Sequence, residues 1–243
     1  MDMSFWAGAA GASASQRRLD VTSNNLANIN NYGFKPKDAR FRELVNYKLN
    51  DKKETVTNLM SDAGARVVQT STNFRTSGIT TTDQPFDYAI QDNNAFFMLK
   101  DPETGEISYT RDGHFHLGEA EDGSSYLATA SGKYVLDSTQ QPIRSELKDE
   151  HDKNFTPAAF TLPHPSRLLS QGDNEYYVES GDTKNVPVLK KDARISAGVL
   201  ETSGTDMARE MTKIIESQRA FSYALRMVQT SDEMEGTVNS LRS

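Results

Sequence analysis

The chain has 243 residues, with 27 Lys plus Arg against 34 Asp plus Glu, a formal net charge of −7, 36% hydrophobic residues and no cysteine. The acidic balance argues against general nucleic-acid or anionic-membrane binding, which needs a basic surface, and the missing cysteines exclude disulfide frameworks and thiolate metal sites. No apolar run approaches membrane-spanning length, and the first residues lack the basic and continuous apolar regions of a cleavable signal peptide, so any export is expected to use another route.

Residues from Met3 to Asn30 read as a helix. Phe5, Gly8, Ala12, Ser15, Leu19, Thr22, Leu26 and Ile29 recur at alternating spacings of three and four, the heptad rhythm. Half of these residues are small, so the helix, roughly 40 Å long at 1.5 Å per residue, is weak alone. Its end is dense in amides: Asn24, Asn25, Asn28, Asn30 and Asn31. Two readings fit. In one, the helix frays into a turn with Gly33 as C-cap and Pro36 barring continuation. In the other, the carboxamides make directional contacts with other chains. Residues 37–65 break this composition. Phe41, Leu44, Val45 and Leu49 suit one short amphipathic helix, Asp51–Glu54 a charged turn, and the whole a connecting arm or a surface loop.

From 66 to 199 the pattern is that of strands. Phe96-Phe97-Met98-Leu99 is an apolar run. Ile107 and Tyr109 alternate with polar neighbours, as do Phe115 and Leu117, and Tyr134-Val135-Leu136 is another strand. Asp101–Gly105, Asp112-Gly113, Asp122-Gly123 and Ser131-Gly132 supply hairpin turns, so the middle is expected to be mainly antiparallel. Further strands are expected at Asn154–Leu162 and Glu175–Glu179, with Pro163 and Pro165 breaking the ladder between them.

Gly198 and Gly204 bracket the return to helix, with Thr205 or Asp206 as cap. Met207, Met211, Ile214, Gln218, Phe221, Leu225 and Val228 form a second heptad stripe, which then shifts to Met227, Ser231, Met234, Val238 and Leu241. This helix is roughly 55 Å long. The fold class is therefore α+β: long N- and C-terminal helices (1–36 and 200–243) pairing as a coiled-coil-like domain, a connecting arm at 37–65 and a central, mainly antiparallel β domain at 66–199. Spacing leaves open whether the stripes meet within one molecule or between copies.

The segment Leu19–Lys35, LDVTSNNLANINNYGFK, resembles the N-terminal signature of the bacterial flagellar rod and hook protein family: a leucine, the core Ser23-Asn24-Asn25-Leu26-Ala27-Asn28 and the ending Gly33-Phe34-Lys35. Gln218-Arg219-Ala220-Phe221 and Val228–Met234 are similar to its C-terminal elements. Gly198–Ser203 is similar to the segment that opens the C-terminal helix, with Gly204 where the family has Asn. In the middle, Gln84–Ile90, Ala95-Phe96-Phe97 and Tyr109–Gly113 resemble family strands, with Phe86 and Tyr88 in place of smaller residues and Ala95 in place of Gly.

The resemblance implies a structural, non-enzymatic subunit whose terminal helices pack as an inner tube beneath an outer β domain. The length fits a rod protein better than a hook protein. The implied partners are copies of itself, other rod and hook subunits and the flagellar type III export apparatus, which removes no signal peptide. No nucleic acid, membrane insertion, metal or cofactor is expected. The residues assigned to assembly are Leu19, Ser23, Asn24, Asn25, Leu26, Asn28, Ile29, Gly33, Phe34, Met211, Ile214, Gln218, Phe221, Leu225, Val228, Gln229 and Met234.

Other chemistry leaves weaker marks. His114 and His116 share a strand face, but no third ligand stands at metal-site spacing. The pairs Glu119/Glu121 and Asp149/Glu150 fall in polar turns, where nothing signals the converging carboxylates of a glycosidase. No nucleophile elbow or phosphate-binding glycine loop is present. A secreted β-domain binding protein or adhesin on a coiled-coil stalk is the alternative reading. An enzyme acting on cell-wall glycans is a more distant one.

Overall fold

The computed structural model describes residues 3–43, 47–48, 60–61, 65–119, 123–145, 157–179 and 181–242. They form two compact units. One comprises Met1–Ala27, Lys37–Ser71 and Asp206–Ser243, and the other Asn28–Pro36 and Thr72–Thr205.

The first unit is built on helix α1 (Met3–Ala27) and helix α2 (Met207–Arg242), which pack antiparallel. Facing pairs run in opposite directions along the two helices. The hydroxyls of Ser4 and Ser231 are 2.9 Å apart, Arg18 reaches Glu216 at 3.0 Å and Asn25 reaches Glu210 at 3.1 Å. Between these pairs the backbones approach closely. A Cβ on Gly8 would lie 2.9 Å from Val228 Cγ2 and 3.2 Å from the Ala224 carbonyl oxygen. Asp206 starts α2 by accepting the Ala208 and Arg209 N–H groups, 3.0 and 3.2 Å away, which satisfies donors that have no partner inside the helix.

The face of α2 turned to α1 carries Glu210, Ile214, Ser217, Phe221, Ala224, Val228 and Ser231, all buried or half-buried and spaced alternately by four and three. This corrects the expected stripe. Ile214, Phe221 and Val228 belong to the seam, but Met207, Met211, Gln218 and Leu225 are exposed beside it. The reason is close approach. Small residues facing Gly8 and Gly11 let the helices come together, whereas a count of large apolar residues finds the neighbouring face.

Helix α1 ends at Ala27, not Asn30. The Asn31 N–H bonds to the Asn28 carbonyl, and the Asn31 amide to the Asn28 side-chain oxygen at 2.7 Å, so local amide bonds displace the helical ones. The helix expected around Phe41 is also corrected. Phe41 lies in the strand Lys37–Glu43, which pairs with Ala65–Thr72. Its partner is distant in sequence and rich in β-branched residues, which local helical spacing does not reveal. Leu44, Val45, Leu49 and the charged turn Asp51–Glu54 lie outside the described residues.

The second unit holds a ten-stranded sheet centred on Ala95–Lys100. This strand pairs antiparallel with Ile107–Thr110 on one side and with Tyr134–Val135 and Ala159–Thr161 on the other. Both of its faces are covered. Phe96 and Met98 pack with Phe74, Tyr109, Phe160 and Tyr176, and Phe97 and Leu99 with Tyr88, Phe115, Leu127 and Val135. A strand buried on two sides reads as an unbroken apolar run. Asp101–Gly105 and Ser131-Gly132 close turns, with Gly105 and Gly132 at positive φ. Asp112-Gly113 closes no hairpin. Gly113 is there because a Cβ would fall 1.6 Å from the Tyr88 carbonyl oxygen. Of the later expected strands, Ala159–Thr161 and Glu175–Tyr177 form, and Leu169–Gly172 pairs with the latter at the sheet edge. Asn154–Thr156 and Asp122 lie outside the described residues. Two helices and a mainly antiparallel sheet make the fold α+β.

Candidate functional site

The signature segment contributes one polar network to each unit. In the helical unit, Asn25 is buried and uses its whole amide within the chain. Its Nδ2 donates to the Lys37 carbonyl at 2.8 Å and to Glu210, and its oxygen accepts the Lys37 N–H at 2.9 Å. Glu210 in turn accepts from Lys213 at 2.6 Å, and Lys213 reaches Asp38 at 3.0 Å. Burial opposes the charge on Lys213, but its hydrogen bonds to Glu210 and Asp38 outweigh that and raise its pKa. Asn25 thus ties together the end of α1, the start of the strand Lys37–Glu43 and the first turn of α2. The expectation that this amide faces another chain is replaced by an internal role.

In the β unit, three motifs converge on one buried charge cluster. Lys35 Nζ is 2.7 Å from Glu201 Oε1 and donates to the Arg75 carbonyl at 2.7 Å. Arg111 Nε lies 3.1 Å from Glu201 Oε2, and its Nη1 donates to the carbonyls of Ala95 and Asp92 at 2.6 and 2.8 Å. Glu201 also accepts the Ser77 N–H at 2.7 Å. All three charged side chains are buried. Burial lowers the Lys35 pKa to about 8, with the nearby Arg111 charge adding to the effect and Glu201 opposing it. The backbone closes around the cluster. Gly33, at φ +65°, donates its N–H to the Glu201 carbonyl at 2.7 Å, and a Cβ there would lie 2.5 Å from the Arg111 carbonyl. The Gly204 N–H donates to the Phe34 carbonyl at 2.9 Å.

Sequence reasoning did not single out Lys35, Arg111 or Glu201. Their only mark is a lone charge ending an otherwise apolar or small motif: Gly-Phe-Lys, Tyr-Thr-Arg and Val-Leu-Glu.

The expected assembly residues separate into three groups. Asn25, Gly33 and Phe34 are buried within the chain. Leu19, Leu26, Asn28, Ile29, Ile214, Phe221 and Val228 are half-buried, the last three in the α1–α2 seam. Ser23, Asn24, Gln218 and Gln229 are exposed, as are Met211, Leu225 and Met234 at 49%, 42% and 56%.

His114 has a structural partner. Its Nδ1 stands 2.9 Å from buried Asp87, whose other oxygen accepts from Thr82. His116 opens the next strand and is exposed. Among the described residues no group of three His, Cys, Asp or Glu is arranged to hold a metal, and no helix is long and apolar enough to cross a membrane. Glu119 is exposed, and Glu121, Asp149 and Glu150 lie outside the described residues.

Three family models match the chain: the flagella basal body rod protein over residues 7–35, the flagellar hook protein FlgE/F/G D1 domain over 89–164, and the flagellar basal body rod FlgEFG protein C-terminal region over 196–241. The matched ranges contain Asn25 and Lys35, Arg111, and Glu201 respectively. Along its whole length the chain is similar to the flagellar basal-body rod protein FlgG of Borreliella burgdorferi, at 27% identity over 100% of this chain and 99% of the relative. FlgG of Buchnera aphidicola subsp. Schizaphis graminum is 29% identical over 95% and 96% of the two chains. FlgF of Caulobacter vibrioides is 28% identical over 96% and 95%. Signature, helix pair, β unit and full-length similarity agree, and the chain belongs to the family of flagellar basal-body rod proteins.

Proposed function

We propose that this structural subunit of the flagellar rod polymerises through the faces of its terminal helices that remain open once α1 and α2 have paired. The observation that carries this reading is the row Met207, Met211, Gln218 and Leu225, exposed beside the seam. Burying such a row against neighbours is favourable by about 25 cal/mol per Å² of apolar surface. A contact between unlike faces propagates a helical array, as a shaft requires. The partners are copies of the chain and other rod and hook subunits. The chain reaches them through the flagellar type III export apparatus, takes its place in the periplasmic or cell-wall zone without cleavage of a signal peptide, and performs no catalysis there.

Leu225→Glu tests the assembly face, because Leu225 lies off the seam. The variant is expected to keep the helix content and β unit of the parent while failing to restore motility to cells that lack the chain. Swimming at the parental rate would remove this face from the assembly. Sequencing the N-terminus of the chain recovered from purified basal bodies tests the export route. Loss of the opening residues would count against it.

A further inference from the structure

We propose that the methionines exposed on α2 form an oxidation site: converting the thioethers of Met207, Met211, Met227 and Met234 to sulfoxides keeps the chain out of the rod until they are reduced again. The inference rests on the rod-subunit reading and adds a redox control to it.

The methionines fall into two populations. In the β unit, Asn28–Pro36 and Thr72–Thr205, Met98 is the one methionine. Its side chain is fully buried, in the core it forms with Phe74, Phe96, Tyr109 and Tyr176. The four on α2 are open to solvent, at 49% for Met207, Met211 and Met227 and 56% for Met234. At about 100° per residue, Met207 and Met211 stand on one side of the seam, and Met227 and Met234 on the other. Both flanks of the helix that pairs with α1 therefore present sulfur. The chain has no cysteine, so no thiol of its own competes for an oxidant.

The step is a two-electron oxidation. With hypochlorous acid, the sulfur gives up an electron pair and gains one oxygen atom, while the oxidant is reduced to chloride and a proton is released. A methionine sulfoxide reductase reverses it. Two electrons and two protons come from a dithiol, which closes to a disulfide, and the oxygen leaves as water. The thioether is a pliable apolar contact, whereas the sulfoxide oxygen is a hydrogen-bond acceptor that water satisfies and an apolar surface does not. On the free chain the four positions already face water, so oxidation leaves the fold intact. Its cost falls on burial against a neighbour, about tenfold in affinity for each sulfoxide left without a donor. Met207 and Met211 share their flank with Leu225, in the row offered to neighbouring copies, so a chain oxidised there is penalised at more than one place.

The test uses the natural sequence. Purified chain is treated with limiting hypochlorous acid and digested. Mass spectrometry is expected to find one added oxygen at each of the four α2 methionines and none at Met98, with the helical circular dichroism signal unchanged. In cells lacking methionine sulfoxide reductases, the same pulse is given before the rod is built and quenched before assembly proceeds. The sulfoxide fraction at the four positions is expected to be about tenfold lower in chain recovered from basal bodies than in unassembled chain. Supplying a reductase between pulse and assembly is expected to return the amount of chain in basal bodies to that of unpulsed cells. Met207→Gln with Met211→Gln, polar and close in size to the sulfoxides, is expected to abolish motility without oxidant. The redox control is overturned if Met98 reacts as readily as the four, if the two pools carry equal sulfoxide, if the reductase restores nothing, or if the Gln variant swims. Absence of the natural chain from the basal bodies of unpulsed cells would overturn the rod-subunit reading and this inference with it.

Discussion

Lys35 sets how the stability of the β unit depends on pH. Its pKa in the fold, about 8, lies below its ordinary 10.5. Between these values the unfolded chain binds the proton and the folded chain releases it, so stability rises with pH across that interval. The relief amounts to about 3 kcal/mol when complete. Buried tyrosines act in the opposite sense at higher pH. Burial pushes Tyr109 up to about 12 and raises Tyr88 and Tyr176 as well. Unfolded tyrosines therefore ionise first, and stability falls above about pH 10. Urea denaturation followed from pH 7 to 11 is expected to pass through a maximum, and Lys35→Met is expected to flatten its rising limb. Glu201→Gln acts more severely. It leaves Lys35 and Arg111 facing each other without a counter-charge, a loss of about 3–5 kcal/mol. If Glu201→Gln proved milder than Lys35→Met in the same titration, Glu201 would not be the centre of the cluster.

Among the elements, the helix pair shows what the sequence displays and what it withholds. Heptad spacing announced both helices, because periodicity is a local property. It found Ile214, Phe221 and Val228 of the α2 seam but joined to them Met207, Met211, Gln218 and Leu225, which are exposed beside it, because the small residues Ser217, Ala224 and Ser231 complete the actual contact. Gly8 makes this testable. Gly8→Leu puts side-chain atoms where Val228 and the Ala224 carbonyl already stand, and it is expected to separate the helices and lower the helical circular dichroism signal. An unchanged signal and an unchanged melting curve would show that the seam does not depend on close approach. Strands were legible where an apolar run met an Asp or Ser-Gly turn, as at Ala95–Lys100. They were illegible where the partner is remote, as for Lys37–Glu43. The charge cluster was hidden for the same reason. Lys35, Arg111 and Glu201 each look like a surface charge beside their own neighbours, and only the fold brings them within hydrogen-bonding distance.

For the molecule as a whole, the β unit does not coincide with the strand-patterned region 66–199, whose first residues, 66–71, belong to the helical unit. It takes in Asn28–Pro36 and reaches Thr205. A fragment of 66–199 keeps Arg111 but loses both Lys35 and Glu201, leaving a buried guanidinium without its carboxylate. Residues 28–205 retain the complete cluster and both flanking segments. Limited proteolysis with mass spectrometry is therefore expected to leave a core that starts before Lys35 and ends after Glu201. A stable product confined to 66–199 would mean that the cluster is dispensable for folding.

The hydrogen bonds from Gly33 to Glu201 and from Gly204 to Phe34 put the beginning and the end of the long central excursion side by side. Topologically, everything between them is a loop tied off at its neck. Lys37–Ser71 of that loop belong to the helical unit, where Asn25 and Lys213 hold Lys37 and Asp38, but residues added in the later part do not alter the spacing between the two ends. The exposed turn at Asp101–Gly105, where a side chain on Gly105 would meet open space, is a natural place to graft an epitope or a fluorophore. A flagellum built from such subunits would report its own growth.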